Sequence, residues 1–287
     1  MASSTKGGRV EDSPSRRIRV EDAERRRIRV GVGGWTYEPW RDNFYPAGWP
    51  KTRELEYASR QLSAIEINAT YHGTQRRTSF AKWRDETPDD FVFSVKASRY
   101  ATNRRVLAEA GDSIARFVDS GIAELGPKLG PVVWQFATTK HFEADDFEAF
   151  LALLPKTIDG LALRHAVEPR HASFCVPAFV DLARKYGVAI VYADSPKYPA
   201  IADATADFVY CRLQDAQENV PTGYKPAALK KWAAAAKAWE SGSTPKDMTL
   251  LAKPPAKRKR DVFIYMINGA KVRAPAAALA FLAAVKK

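Results

Sequence analysis

The stretch LALRHAVEPRH, residues 161–171, is an apolar run that ends in three ionisable side chains, those of Glu168, Arg170 and His171. Short aliphatic runs without regular polar alternation are typical of strands that are covered on both faces. Ionisable groups at the end of such a strand are costly to bury, because a desolvated charge needs a partner. The pattern therefore predicts a buried strand that opens onto a polar pocket.

The same pattern recurs along the chain, where eight apolar runs alternate with segments of helical composition or periodicity. The predicted strands are IRVGVGG (28–34), AIEINA (64–69), FVFSVKA (91–97), GPVVWQF (130–136), LALRHAVE (161–168), VAIVYAD (188–194), DFVYCRL (207–213) and VFIYMIN (262–268). The predicted helices span residues 53–61, 75–86, 112–124, 144–153, 176–186, 226–239 and 275–285, and none is predicted in SPKYPAIADATA (195–206). Strands that alternate with helices indicate parallel crossovers, and eight of them predict a closed (β/α)8 TIM barrel, an α/β fold, over residues 28–287.

The main alternative is an open, doubly wound sheet of the kind that binds dinucleotides. Its phosphate-binding turn requires the spacing GxGxxG between the first strand and the first helix. The glycines of VGVGGW (30–35) lack that spacing, and no predicted helix begins after them. A dinucleotide site is therefore excluded, and the single barrel domain is preferred.

Basic residues outnumber acidic ones, and part of the excess lies in two segments. Lys and Arg number 45 against 33 for Asp and Glu, which gives a formal net charge of +12. Residues 1–27 form a low-complexity basic extension that contains RRIRV at 16–20, with a second copy at 26–30. We expect this extension to be disordered and LAKPPAKRKR (251–260) to be solvated charge. The excess favours an anionic partner such as nucleic acid, phosphate or an acidic metabolite.

The number of cysteines and the lengths of the apolar runs indicate the cellular compartment in which the protein is expected. Cys175 and Cys211 are too few for a disulfide framework and lack the CxxC spacing of zinc sites, so we expect reduced thiols. No apolar run approaches the roughly 18 residues that a transmembrane helix needs. A cytoplasmic protein without a membrane partner is the expectation.

In a TIM barrel, the chemistry lies at the carboxyl ends of the strands. The polar and aromatic residues at these ends are Trp35, Tyr37, Glu66, Asn68, Lys96, Gln135, Glu168, Arg170, His171, Asp194, Arg212 and Asn268. Each has a structural explanation when it is taken alone: Glu66 and Lys96 as an internal ion pair, Arg170 paired with Asp194 or Glu168, His171 as a cap of the following turn. Their coincidence at successive strand ends predicts one polar pocket instead.

The motifs VGVGGWTYEPWRDNFYPAG, IEINATYHG, TPDDFVFSVKASRYAT, LGPVVWQF, AVEPRHASF, YADSP, DFVYCRL and YMIN, in this order, resemble the domain-of-unknown-function 72 family, also called YecE-like. The resemblance extends from about residue 29 to residue 285. It implies a TIM barrel similar to the endonuclease-IV and xylose-isomerase group, and it marks the same twelve residues at the strand ends. It leaves the reaction open.

The pocket residues suggest an enzyme that acts on a nucleotide or on a phosphorylated or otherwise anionic small molecule, as a phosphodiesterase-like hydrolase or as an isomerase. Glu66 or Glu168 is expected to serve as general base with a pKa raised by burial, and His171 is the alternative acid or base. The other nine residues are expected to bind substrate, with the basic ones contacting its anionic group.

The same residues also bear on metal dependence and on a non-catalytic role. Glu66, Glu168, His171 and Asp194 are suitable ligand types for a divalent ion. With four histidines in the chain and several cations among the pocket residues, however, we predict no metal and no cofactor. The second hypothesis is a non-catalytic binding module, in which the pocket or its basic rim holds a nucleic acid or a nucleotide without turnover. The basic segments would add non-specific attraction for phosphate groups.

Overall fold

The computed structural model describes residues 27–286, so the predicted extension, apart from Arg27, lies outside the described residues. The strands are β1 Ile28–Gly33, β2 Ala64–Ile67, β3 Val92–Lys96, β4 Leu129–Gln135, β5 Thr157–Ile158, β6 Leu161–Ala162, β7 His165–Glu168, β8 Ala189–Asp194, β9 Phe208–Leu213 and β10 Asp261–Met266. The helices are α1 Glu54–Gln61, α2 Arg77–Asp85, α3 Arg99–Thr102, α4 Gly111–Val118, α5 Ala144–Ala152, α6 Pro177–Tyr186, α7 Pro226–Glu240 and α8 Ala274–Val285. Short 3₁₀ turns lie at Glu38–Asp42, Lys51–Arg53, Ala69–Tyr71, Leu107–Glu109, Ile122–Lys128, Ala172–Phe174 and Lys271–Arg273.

The strands β1, β10, β9, β8, β7, β4, β3 and β2, in that order, close into a barrel with parallel pairing throughout. The predicted TIM barrel is confirmed. The segment between β8 and β9 contains no helix, as predicted. One large apolar core packs between the outer face of the barrel and the helices, and a smaller one fills the barrel itself. No helix within residues 27–286 has the length and apolar character needed to cross a bilayer.

The fifth predicted strand, 161–168, was wrong in its first half. Leu161–Ala162 pairs antiparallel with Thr157–Ile158 in a small hairpin, and only His165–Glu168 joins the barrel. Asp159 and Gly160, between the paired segments, both have positive φ, at 46° and 78°. An Asp-Gly pair is a strong signal for such a two-residue turn, and the apolar run concealed it.

Two other expectations need correction. The predicted helix 112–124 is divided: α4 ends at Val118, and Gly121, with φ of 115°, separates it from the following 3₁₀ turn. The basic run 251–260 lies between α7 and β10, and its last residue is not solvated. Arg260 is buried and donates to the backbone oxygen of Ala206 at 3.2 Å, so its charge is held inside the fold.

The barrel strands alternate between inward and outward side chains, and this alternation decides which polar residues reach the pocket. On β9, Phe208 and Tyr210 belong to the inner core, so Arg212 also faces inward. On β8, Ala189 and Val191 belong to the inner core, so Asp194 faces outward.

The first strand approaches its neighbour too closely for any side chain at Gly31. A Cβ built there would lie 1.9 Å from the backbone oxygen of Ala64 on β2. Glycine therefore lets β1 and β2 pair and close the barrel.

Candidate active site

A cavity of about 670 Å³ opens at the carboxyl ends of the barrel strands, and we call it the mouth cavity. Its size is in the usual range for a small-molecule site. It is lined by Gly33, Gly34, Trp35, Thr36, Tyr37, Trp40, Ile67, Asn68, Ala69, His72, Trp83, Lys96, Gln135, Arg170, Arg212, Met266, Ile267, Asn268 and Lys271.

Eight of the twelve residues predicted for the site line this cavity: Trp35, Tyr37, Asn68, Lys96, Gln135, Arg170, Arg212 and Asn268. Glu66 and Glu168 are fully buried and contact Arg212 at the cavity floor. The remaining two predicted residues, His171 and Asp194, are not among its lining residues. The structure thus brings ten of the twelve together, eight at the wall and two beneath it.

The floor is organised around Arg212 on β9. Its Nη2 donates to Oε1 of Glu66 at 2.9 Å, and its Nη1 donates to Oε2 of Glu168. The second oxygen of Glu66 accepts from the hydroxyl of Tyr210 at 2.6 Å. Burial alone would lower the pKa of Arg212, but the two carboxylates raise it above its usual value, so the guanidinium stays charged.

Glu168 has a lowered pKa and not the raised pKa that we expected of a general base. Burial alone would raise its pKa, but Arg212 and Arg170, with a hydrogen bond from Gln135 at 2.7 Å, hold it at about 2. A carboxylate with such a pKa accepts a proton poorly near neutral pH. The expected rise in pKa was therefore wrong for Glu168, because the sequence did not reveal how many donors surround it.

Lys96, at the end of β3, has no such partners. Its Nζ lies 3.8 Å from the centre of the Tyr71 ring, and among residues 27–286 it makes no hydrogen bond or ion pair. The suggested ion pair between Lys96 and Glu66 does not form. Burial, followed by the charge of Arg212, lowers the pKa of Lys96 to about 8, although Glu66 and Glu168 act in the opposite direction.

Arg170 extends from the loop after β7 to the side of the cavity. Its Nε and Nη2 donate to Oε1 of Glu168 at 3.3 Å and 3.2 Å. Its guanidinium also stacks on Tyr198, with Cζ 4.2 Å from the ring centre. Of the two partners considered for Arg170 from the sequence, the structure selects Glu168 over Asp194.

An aromatic wall lies beside the cationic floor. Trp35 and Trp83 meet edge to face with ring centres 5.1 Å apart, and Tyr37 lies next to Trp40. Lys271 closes this side, with Nζ 4.3 Å from the centre of the Tyr37 ring. Sequence analysis missed Lys271, because it belongs to the 3₁₀ turn that follows β10 and not to a strand end.

Asp194 lines a different cavity, which lies outside the barrel against α7. The hydroxyl of Tyr224 donates to its Oδ2 at 3.3 Å, and Tyr192 and Asp215 line the same space. Burial, followed by the charge of Asp215, raises the pKa of Asp194 to about 6. The side chain of Asp194 faces the outside of the barrel on β8, and therefore it does not reach the mouth cavity.

His171 belongs to a third location, at the start of the 3₁₀ turn 172–174. Its Nδ1 accepts from the backbone N–H of Ser173 at 3.2 Å, and its ring lies 3.9 Å from that of His141, centre to centre. The capping role considered for His171 from the sequence is therefore present in the structure.

Within residues 27–286, no group of three or more His, Cys, Asp or Glu side chains is arranged to hold a metal ion. Two carboxylates do meet at the cavity floor, but their oxygens accept from arginine, tyrosine and glutamine side chains. Metal independence stays a prediction, which elemental analysis of protein purified without chelator would test.

Comparison with known proteins gives a family. A family model described as "Protein of unknown function DUF72" matches residues 29–287. The chain is 29% identical to the UPF0759 protein YunF of Bacillus subtilis (strain 168) over 112 residues, which cover 37% of this chain and 39% of the relative. It is 27% identical to the UPF0759 protein YecE of Escherichia coli (strain K12) over 121 residues, or 42% of each chain. The matches thus span about two fifths of these relatives.

Solved structures share the fold along most of the chain. A DUF72 family protein from Thermotoga maritima MSB8 has a TM-score of 0.70 at 21% identity, covering 91% of this chain and 99% of that one. One from Enterococcus faecalis V583 has a TM-score of 0.66 at 15% identity, covering 91% and 96%. At such identities the likeness shows the fold alone. The resemblance found in the sequence motifs is confirmed by the family model, and the chain belongs to the DUF72 family of proteins of unknown function.

Proposed function

We propose that this protein is an enzyme that acts on an anionic small molecule bound in the mouth cavity. One observation carries the proposal: within the described part of the chain, every lining residue with a formal charge is basic, namely Lys96, Arg170, Arg212 and Lys271. Cations that converge on a partly enclosed space attract and orient an anionic ligand.

The balance of charge at the floor supports an anion. The floor brings together three basic side chains, those of Lys96, Arg170 and Arg212, and two acidic ones, those of Glu66 and Glu168, which is a formal excess of one positive charge. Lys271 at the rim adds a second. An uncompensated positive charge in a partly desolvated space is costly unless a ligand balances it.

A hydrogen-bond donor at the floor also lacks a partner. The Nε of Arg212 is buried and makes no hydrogen bond within residues 27–286. Buried donors are usually satisfied, so an unmet donor on a cavity-lining residue is consistent with a bound acceptor in the working protein.

Catalysis, as distinct from binding, is proposed because of Lys96. An amine with a pKa of about 8 can exist in both protonation states near neutral pH, whereas Arg212 stays charged and Glu168 stays ionised. We therefore assign the reactive role to Lys96. The carboxylates, first proposed as general bases, instead hold Arg212 in place, and His171 lies outside the cavity.

The aromatic wall restricts the shape of the substrate. Trp35, Tyr37 and Trp83 offer ring surfaces next to the cations. A sugar or base ring could lie against them while its phosphate or carboxylate contacts the floor. Phosphorylated sugars and nucleotides are thus the first compounds to test.

The experiment incubates purified protein with phosphorylated and carboxylated metabolites, nucleotides and phosphodiesters, and follows each compound by mass spectrometry. We expect the wild type to convert at least one anionic compound, Lys96→Met to lose that activity, and the exposed-site control Lys230→Met to retain it. Binding without conversion of any compound would contradict the enzymatic part of the proposal.

Nucleic-acid binding without turnover is the second candidate, and the exposed side chains of Lys257, Arg258 and Lys259 favour it. Its test is DNA and RNA affinity at two salt concentrations, before and after removal of residues 1–26. Arg27 is kept because its backbone oxygen accepts from the N–H of Val262 at 2.8 Å. Affinity that disappears with residues 1–26 would show that the barrel has no nucleic-acid surface of its own.

A further inference from the structure

We infer that Lys96 is a nucleophile that forms an imine with the carbonyl group of an anionic oxo compound, such as a 2-oxo acid or a ketose phosphate, held in the mouth cavity. The inference rests on the proposed function and names the substrate class for the same site. It follows from how the side chains of the cavity floor are engaged.

Among the described residues the amine of Lys96 has no ion pair, because the nearby carboxylates contact other side chains. Both oxygens of Glu66 and both oxygens of Glu168 accept hydrogen bonds from other side chains. A lysine kept only for structure would be expected to pair with one of them, since a buried ammonium needs a counter-ion. Here Arg212 takes that place, and the amine remains available to a ligand.

The surroundings of Lys96 also make its neutral form more accessible than that of an exposed lysine. The residue is only 9% exposed, and the neighbouring Arg212 repels a second positive charge. Desolvation and an adjacent cation are the two ways in which proteins activate lysine for attack on carbonyl groups. The ring of Tyr71, whose centre lies 3.8 Å from Nζ, limits the directions in which the amine can point.

The chemical step is balanced without an oxidant or reductant. The neutral amine adds to the carbonyl carbon, a C–N bond forms, and one of the two amine hydrogens passes as a proton to the carbonyl oxygen. The second amine hydrogen then leaves with that hydroxyl group as water, and a C=N bond remains. The imine makes the adjacent carbon more acidic, as isomerisation or cleavage next to a carbonyl requires.

The other cations are placed to hold the anionic end of such a substrate. Arg170 and Lys271 line the same cavity as Lys96. Within residues 27–286, the Nη1 of Arg170 makes only one hydrogen bond, a long one of 3.4 Å to the hydroxyl of Tyr198, so it can turn to an oxyanion at little cost. This arrangement selects oxo compounds that carry a carboxylate or a phosphate over neutral aldehydes and ketones.

The test traps the imine by reduction. The full chain is incubated with pyruvate, 2-oxoglutarate or dihydroxyacetone phosphate and with sodium cyanoborohydride, which reduces C=N to a stable C–N bond, and the modified lysine is mapped by peptide mass spectrometry. We expect one adduct per chain at Lys96, at least about tenfold above any surface lysine. Lys96→Arg should lose the adduct, and the control Lys230→Arg should keep it.

A second measurement does not depend on a variant that folds. Acetylation of wild-type lysines by acetic anhydride, followed from about pH 6 to about pH 11, should show Lys96 becoming reactive at lower pH than Lys230. Equal profiles would overturn the inference.

Failure of the inference is distinguishable from failure of the proposed function. If the oxo anions stabilise the wild type against heat but leave no adduct at Lys96, the imine is wrong and the anion site stands. If neither the oxo anions nor any anion of the metabolite panel binds, both are wrong.

Discussion

The guanidinium of Arg212 on β9 donates to Oε1 of Glu66 on β2 at 2.9 Å, across the inside of the barrel. Two other strands, β1 and β10, separate these elements around the sheet. The same guanidinium reaches Glu168 on β7, so one residue ties three strands together beneath the mouth cavity. This network engages both carboxylates and leaves Lys96 without an ion pair in the part of the chain that the structure describes, which is the basis of the reactive role proposed for Lys96.

Replacing Arg212 should destabilise the protein strongly. In Arg212→Leu, two buried carboxylates would lose their shared partner, and we expect the free energy of unfolding to fall by about 3–5 kcal/mol. Urea unfolding measures it. The control is Arg53→Ala, whose exposed pair with Glu56 should contribute far less. Similar losses in both variants would contradict the role of Arg212 as the centre of the floor.

Replacing Lys96 should have the opposite effect on stability. The pKa of Lys96 is about 8 in the folded protein and ordinarily 10.5, so between these pH values the unfolded chain binds more protons and stability rises with pH. Below about pH 8 Lys96 is protonated in the folded protein, and the cost of burying its charge lowers the free energy of unfolding in full. At pH 7, Lys96→Met should therefore increase the free energy of unfolding by about 1–3 kcal/mol, and the gain should shrink as the pH approaches 10.5.

Thermal or urea unfolding at pH 7 and at pH 10 checks this sign. Lys230→Met, at an exposed position, should change little at either pH. A Lys96→Met protein that is less stable than the wild type at pH 7 would show that the cation contributes to the fold, and the reactive role would lose its support.

The barrel could be predicted because hydrophobic runs and helical segments alternate regularly, and the apolar residues of each run indicate locally that the strand is buried. Which side chains of each strand face the inside of the barrel was predicted less well. Asp194 was assigned to the pocket by its position at a strand end, although Ala189 and Val191 mark the opposite parity as inward. The small aliphatic residues of β8 alternate with the outward positions, so the sequence did contain the signal that Asp194 faces outward.

Other parts of the site depend on contacts that no local pattern contains. The low pKa of Glu168 arises from residues on β4, β9 and the loop after β7, which meet only when the barrel closes. Lys271 reaches the cavity from a turn after the last strand, where charged residues are common on any surface. By contrast, the Asp159–Gly160 hairpin had a local signal and could have been found.

Arg170→Lys should separate a binding role from a structural one. Lysine offers one point charge where arginine offers a planar fork. We expect a melting temperature near that of the wild type and the loss of inorganic phosphate binding measured by calorimetric titration. Unfolding of the variant with phosphate binding retained in the folded fraction would instead identify the pair with Glu168 as structural.

Gly31→Ala should test how the barrel closes. The new methyl group would lie 1.9 Å from the backbone oxygen of Ala64, so β1 and β2 must separate, at a cost of more than about 2 kcal/mol. Gly73→Ala is the matched control, because its Cβ would meet no atom within 4 Å. Comparable urea midpoints for the two variants would contradict the close approach of these strands.

Anomalous diffraction of a crystal soaked in selenate tests directly whether the mouth cavity is an anion site with Lys96 at its floor. We expect a selenium peak in the mouth cavity, with selenate oxygens within hydrogen-bond distance of Lys96 Nζ and a guanidinium nitrogen of Arg170 or Arg212. Selenate sites found only on the exterior, with the mouth cavity empty of anion in the same crystal, would contradict it.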